Sequence, residues 1–124
     1  MEDLSSRVAE AIRKIRARVE WKPGKGDVHL EKRRTLGHLS TTATLAEYDA
    51  LIQTVVGYPQ ARVFIYRVSE SVYVAVRGIV SGRSWLIIFS LTGLMETAFP
   101  PDDIDAYVAQ PGFTEIGTVE EFLA

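Results

Sequence analysis

The sequence predicts an α+β domain in which two N-terminal helices pack on a four-stranded antiparallel meander, followed by short C-terminal helices. Three observations support this fold. Apolar residues recur every three or four positions early in the chain, they alternate after residue 60, and short polar connectors divide the alternating region into strands. At 124 residues and 47% hydrophobic residues, the chain is typical of one globular unit, so we expect residues 1–124 to form a single domain.

The first predicted helix runs from Asp3 to about Trp21. Apolar residues at positions 4, 8, 12, 15 and 19 line one side of it, and the proline and glycine residues of 23–26 end it. The segment that follows, residues 29–38, is densely polar. Its pattern leaves its structure open.

A second helix is predicted from a capping box formed by Thr44 and Glu47, and it ends at residues 57–59. After the strands, residues 102–109 can form a short helix. Thr118 with Glu121 opens a last helical turn near the C-terminus.

Four alternating runs predict the strands, and their connectors are short enough for hairpins. Two-residue turns place Arg77 opposite Leu86 and Tyr66 beside Tyr73. One face of the sheet is then apolar and is predicted to form the core under the two helices, with Val63, Ile65, Val72, Val74, Val76, Trp85, Ile87 and Phe89. The runs are residues 61–68, 72–80, 84–91 and 95–99.

The composition excludes several classes of protein. There is no cysteine, which excludes a disulfide framework, a thiolate metal site and a cysteine nucleophile. The N-terminus lacks the apolar core of a signal peptide, and no stretch approaches the roughly eighteen apolar residues of a membrane span. We therefore expect a cytoplasmic protein with no membrane partner, unless a larger parent protein or a secretion system delivers it.

The net charge of −2 is unevenly distributed. Residues 1–40 hold ten Lys and Arg against six Asp and Glu, whereas residues 41–124 hold four against ten. The basic segment could attract phosphate, because local potential rather than total charge steers a polyanion. The alternative is a first helix with an ordinary solvated face.

Both histidines, His29 and His38, lie in the polar segment and flank the basic run Lys32-Arg33-Arg34. Cleavage of RNA without a metal requires a base, an acid, and cations that stabilise the charge on phosphorus. Imidazole suits both proton transfers because its pKa lies near neutrality, and Lys or Arg suits the phosphate. The alternative is that both histidines are surface residues of a polar loop.

Arg77 lies in the middle of a predicted strand, on the face turned away from the helices. It could bind a phosphate beside Tyr66, Tyr73, Ser90 and Thr97, or it could extend to solvent from a one-sided sheet. Tyrosines on an open face offer flat surfaces for the bases of single-stranded RNA, although aromatic residues on strands commonly serve packing.

Neither a metal nor a cofactor is predicted. His29 and His38 lack the close ligand spacing of a zinc site, and the acidic residues of 102–105 suit the start of a helix. No glycine-rich loop matches a nucleotide-binding fingerprint.

The layout of helices, a His and Arg segment, and a four-stranded meander resembles the fold shared by barnase, EndoU, colicin-type and RelE-type ribonuclease toxins. Residues 29–38 resemble the His and basic segments of several toxin subfamilies, and Glu96-Thr97-Ala98-Phe99 resembles their last strand. The resemblance implies metal-independent cleavage of RNA to a 2′,3′-cyclic phosphate. It implies His29 or His38 as acid and base, Arg77 holding the phosphate, and Thr97 orienting it.

The implied partner is RNA, either tRNA or mRNA, and a cognate antitoxin or immunity protein is a further candidate. The rival hypothesis is a non-catalytic protein-binding module, such as an inhibitor, immunity protein or assembly partner, that uses the same open sheet face. A nuclease would require at least one histidine to converge with Arg77 around a cleft.

Overall fold

The structure, a computed structural model, describes residues 3–124 and confirms the α+β class. The helices are α1 (Leu4–Ala17), α2 (Lys25–Thr35), α3 (Leu45–Gly57), α4 (Ile104–Val108) and α5 (Val119–Leu123), and the strands are β1 (Glu20–Trp21), β2 (Arg62–Val68), β3 (Ser71–Val80), β4 (Arg83–Ser90), β5 (Leu94–Phe99) and β6 (Phe113–Thr118). The strands form one mixed sheet in the order β1-β5-β4-β3-β2-β6.

Helix α1 confirms the first predicted helix, but it is shorter than the sequence indicates. The Asp3 carboxylate caps its start by accepting a backbone N–H one turn later. The chain becomes extended at Arg18, and residues 20–21 then pair in parallel with residues 94–95. Trp21, predicted to lie at the helix end, therefore belongs to the sheet.

The polar segment that the pattern left open forms helix α2. It starts after Gly24, whose φ of 77° is strained for residues with a side chain. Among its buried residues only Leu30 is a large apolar side chain, so the helix carries little amphipathic signal. Packing against β5 and α3 stabilises it instead. The prediction of two N-terminal helices was wrong, because α2 makes three.

The predicted meander and its core face are confirmed. Strands β2 to β5 pair antiparallel in sequence order, with Arg77 opposite Leu86 and Tyr66 opposite Tyr73. Helix α3 begins with the predicted capping box of Thr44. The core under α1 and α3 contains Val63, Ile65, Val74, Val76, Trp85, Ile87 and Phe89, with Val72 partly buried at its margin.

The sheet is larger than the predicted four-stranded antiparallel meander, and that part of the prediction was wrong. Strand β1 lies parallel to β5 at one edge, and β6 lies antiparallel to β2 at the other. A two-residue strand is too short to show any period in sequence. The predicted C-terminal helices are confirmed: Asp103 caps α4, and Thr118 with Glu121 forms a capping box at α5.

The second sheet face is not open, as the sequence analysis assumed. Helix α4 lies over it and buries Ile104 in a second apolar cluster with Phe64, Ala75, Leu86 and Ile88. Tyr66, Tyr73, Phe99, Tyr107, Val108 and Phe113 pack at its margin. Alternation in the strands shows that this face exists, but it carries no information on which later segment returns to cover it.

The role of α4 can be tested with two matched isoleucines. We expect Ile104→Ala to lower the free energy of unfolding by about 2 kcal/mol or more, because it leaves a cavity under α4. Ile79→Ala should cost less than about 0.5 kcal/mol, because Ile79 is 71% exposed whereas Ile104 is 8% exposed. Urea denaturation of both variants measures the difference, and equal costs would contradict the packing of α4.

Candidate active site on strand β5

Two elements from the N-terminal part of the chain line the outer edge of β5. Strand β1 pairs with its first residues, and helix α2 packs beside it. The turn between them is tight, since a Cβ at Gly26 would lie 3.0 Å from the Trp21 indole. Glycine at this position therefore allows α2 to follow β1 closely and to place its inward-facing side chains on β5.

His29 reaches the sheet and contacts Thr97. The Thr97 hydroxyl lies 3.3 Å from Nδ1 of the imidazole, at hydrogen-bonding distance. The Trp21 indole stacks on the ring with centroids 6.0 Å apart, and Trp21 is itself held by donating from Nε1 to Asp49 at 2.8 Å. Burial lowers the pKa of His29, and the positive charges of Lys32, Lys25 and Arg33 lower it further, whereas Glu96 opposes the shift.

Glu96 stands beside Thr97 and binds two lysines. Its carboxylate accepts from Lys22, and from Lys25 at 2.9 Å. Burial would raise the pKa of Glu96, but the hydrogen bonds and charges of both lysines hold it below its ordinary value. The Glu96 carboxylate is therefore ionised near neutral pH. Lys22 also lies 5.0 Å from the centre of the Tyr73 ring.

A β-bulge explains how neighbouring residues of one strand share this site. Thr97 pairs with Ile88, but the next residue of β4, Phe89, pairs with Met95, which leaves Glu96 as the extra residue of β5. Bulges redirect side chains in this way. We use the name β5 cluster for Lys22, Lys25, His29, Glu96 and Thr97.

His38 lies in a different environment. Its Nδ1 is 3.2 Å from the Arg33 guanidinium, and its ring meets Trp85 edge-on. Burial lowers the pKa of His38, and the charges of Arg33 and Arg83 lower it further, while Asp102 raises it. The structure thus separates the two histidines that the sequence analysis grouped together.

Arg77 also lies apart from the β5 cluster. Its guanidinium pairs with Asp105 of α4 at 2.9 Å, and its side chain is 18% exposed. Strand β4 stands between β3, which carries Arg77, and β5, which carries Thr97. The expected convergence of a histidine with Arg77 does not occur: His29 contacts Thr97, His38 contacts Arg33, and Arg77 pairs with Asp105 of α4.

The predicted basic run divides among three environments. Lys32 is exposed on α2, close enough to influence His29. Arg33 is buried with its guanidinium above the Phe99 ring. Arg34 donates to the Ala43 carbonyl at 2.8 Å and joins α2 to the following loop.

Of the predicted substrate-binding residues Tyr66, Tyr73 and Ser90, Tyr73 borders the β5 cluster. Tyr66 stacks on Phe113 with centroids 4.1 Å apart and is part of the packing around α4. The Ser90 hydroxyl accepts the backbone N–H of Leu94 and stabilises the β4–β5 turn.

Lys22, Lys25 and Glu96 were not predicted as site residues from the sequence. Glu96 carried a usable signal, because a carboxylate inside a short apolar strand requires a partner. The lysines carried none, since they flank a Pro-Gly turn that pattern alone assigns to a loop. Only the parallel pairing of β1 with β5 brings them to Glu96.

Comparison with known proteins gives no match: no family model, curated protein or solved structure is similar to the chain. Among residues 3–124, no group of three or more His, Asp or Glu side chains could hold a metal ion. Within the same range, no helix is long and apolar enough to cross a membrane.

The electrostatic coupling of the β5 cluster predicts a titration shift. In Glu96→Gln, the pKa of His29 should fall further below its ordinary value of 6.5, because the carboxylate that opposes the shift is lost. NMR titration of the imidazole Cε1–H signals measures this. Glu31→Gln, an exposed change on the same helix, is the matched control and should leave the His29 titration in place. An unchanged pKa in Glu96→Gln would contradict the coupling.

Proposed function

We propose that the chain is a metal-independent endoribonuclease of the toxin kind, with its active site at the β5 cluster. The observation that carries this proposal is that two consecutive residues of β5 gather the required groups: the Glu96 carboxylate accepts from two lysine ammonium groups, and the Thr97 hydroxyl contacts the His29 imidazole. These are the groups that cleavage of a phosphodiester by its own 2′-hydroxyl requires. The proposal moves the site away from Arg77 and His38.

Glu96 and His29 have the properties of a base and an acid. Glu96 accepts the 2′-hydroxyl proton as the 2′ oxygen bonds to phosphorus. Protonated His29 donates to the 5′ oxygen as the bond from phosphorus to that oxygen breaks. The products are a 2′,3′-cyclic phosphate and a 5′-hydroxyl, and solvent returns both side chains to their starting protonation. Thr97 and the Trp21 stack orient the imidazole.

Lys22 and Lys25 supply the positive charge for the phosphate. Their present partner is Glu96, and an incoming phosphate offers them additional acceptor oxygens beside the base. Tyr73, next to Lys22, presents a ring on which a base can stack. The two lysine ammonium groups, the general base Glu96 and the proton donor His29 thus lie along one edge of the sheet.

The rival hypothesis of a protein-binding module depended on an open apolar sheet face. Helix α4 occupies part of that face and buries its centre, which leaves less apolar surface for a partner there. The β5 cluster has no corresponding role in that hypothesis, and so the nuclease explains more of the structure.

Cleavage of labelled tRNA and mRNA in the presence of a chelator tests the proposal. We expect fragments that end in a 2′,3′-cyclic phosphate. His29→Gln and Glu96→Gln should each reduce the rate by roughly 10²- to 10⁴-fold, the usual contribution of a positioned acid or base. Glu31→Gln should retain wild-type activity, because Glu31 pairs with Arg34 on the outer side of α2.

Absence of any cleavage by the folded wild type, with either RNA, would contradict the nuclease. Cleavage that survives both His29→Gln and Glu96→Gln would contradict this assignment of the site. Circular dichroism of each variant separates a loss of chemistry from a loss of fold.

The pKa directions also predict the pH profile of kcat/KM. Glu96 must be ionised, and its two lysine partners hold its pKa below the ordinary value despite burial, whereas His29 must be protonated and burial lowers its pKa. The profile should therefore be bell-shaped with its maximum on the acidic side of 6.5, because kcat/KM follows the groups of the free enzyme. Initial rates at low substrate across the pH range measure it. A maximum above neutral pH would exclude this pairing of acid and base.

A further inference from the structure

A polar cleft lies beyond the C-terminal end of α2. It has a volume of about 490 Å³, and its walls come from the segment after α2, the β3–β4 turn and the segment after β5. His38, Arg83, Ser84 and Asp102 supply its polar groups. We call these four residues the hairpin cleft. None of them belongs to the β5 cluster.

A buried cation stands behind this cleft. Arg33 is 6% exposed, and within residues 3–124 its guanidinium has no carboxylate within ion-pair distance and its Nε has no hydrogen-bond partner. A buried charge without a counter-ion is costly, and it raises the local positive potential. Burial lowers the pKa of Arg33, which agrees with an uncompensated charge.

Arg33 sets the direction of the hydrogen bond to His38. A guanidinium can only donate, so Nδ1 of His38 must accept its hydrogen bond at 3.2 Å. The proton of the neutral imidazole is then on Nε2, which makes that nitrogen a donor. Arg83 adds a second guanidinium, which lies 3.5 Å from the His38 carbonyl.

The hairpin cleft thus combines several hydrogen-bond donors with one carboxylate acceptor. Arg83, the His38 imidazole and the Ser84 hydroxyl can all donate to a phosphate oxygen. Asp102 is the carboxylate of the lining and would repel a bare anion, but it can accept from a ribose hydroxyl or a base amine. A nucleotide provides both a phosphate oxygen and a hydroxyl or amine donor, whereas inorganic phosphate provides only the phosphate oxygens.

We propose that the hairpin cleft is a second nucleotide subsite, which binds the phosphate and ribose of a residue of the RNA strand outside the cleaved bond. The proposal rests on the proposed function for its ligand. Helix α2 connects the two sites, since roughly 9 Å of helix axis separates residue 29 from residue 35, after which the chain turns to His38. A single strand that crosses α2 would contact both sites.

The test is the binding of a short 2′-O-methyl RNA, which cannot be cleaved, measured by fluorescence anisotropy at several salt concentrations. We expect Arg83→Gln to raise Kd about tenfold, as the loss of one charge-assisted phosphate contact does. The negative slope of log K against log salt should become less steep by about 0.7. Arg67→Gln, at an exposed arginine on β2, is the matched control and should leave both quantities in place.

Equal effects of Arg83→Gln and Arg67→Gln would overturn the subsite in favour of general electrostatic attraction. No effect of Arg83→Gln, or no binding of the RNA to the wild type, would overturn it too. Thermal unfolding of both variants checks that neither change disturbs the fold.

NMR of the His38 ring separates the two phosphate sources. RNA should shift its Cε1–H signal at concentrations where inorganic phosphate does not, and a response to inorganic phosphate alone would overturn the nucleotide assignment. Binding that depends on Arg83, together with no cleavage in the chelator assay, would remove the proposed nuclease and leave the subsite. Cleavage of RNA together with binding that does not depend on Arg83 would remove the subsite and leave the proposed nuclease.

Discussion

The edge of β5 that faces away from β4 is the constraint on which the rest of the structure depends. An edge strand leaves backbone groups without partners, and proteins cover or pair them. Here the Lys22 backbone N–H donates to the Met95 carbonyl at 3.2 Å, and the buried Tyr48 hydroxyl donates to the Ala98 carbonyl. Helix α2 packs beside the strand. Satisfying this edge is what brings the N-terminal lysines and His29 to the sheet.

The fold pairs some of the N-terminal basic residues with an acidic residue of the C-terminal part. The N-terminal segment is basic and the remainder acidic, and the two meet where Lys22 and Lys25 bind Glu96. Arg77 and Asp105 repeat the arrangement within the C-terminal part and fasten α4 to the sheet. The first group of pairs holds the segment after β1 against β5, and the second holds α4 against β3. Arg33 differs from these cations because it is buried and has no carboxylate partner among residues 3–124.

The elements that were predicted correctly are those with strong local sequence signals. Helix α3 and the registers of the first two hairpins were predicted correctly, because capping boxes and two-residue turns act over a few residues. The bulge between β4 and β5 was not predicted. Of the predicted site residues, His29 and Thr97 contact each other and Tyr73 lies next to Lys22, whereas His38 and Arg77 lie elsewhere. The lysines were missed because nothing in a Pro-Gly loop indicates which strand it will meet.

The amino-acid sequence by itself determined the class of fold, the core face of the sheet and the two histidines worth examining. Periodicity and turn chemistry depend on neighbouring residues, so they can be recognised in the sequence without knowledge of distant contacts. Only the tertiary structure decided that α2 is a helix, that α4 covers the second face, and that His29 rather than His38 reaches Thr97. Each of these depends on contacts between segments far apart in the chain, and such contacts leave no periodic trace in either segment.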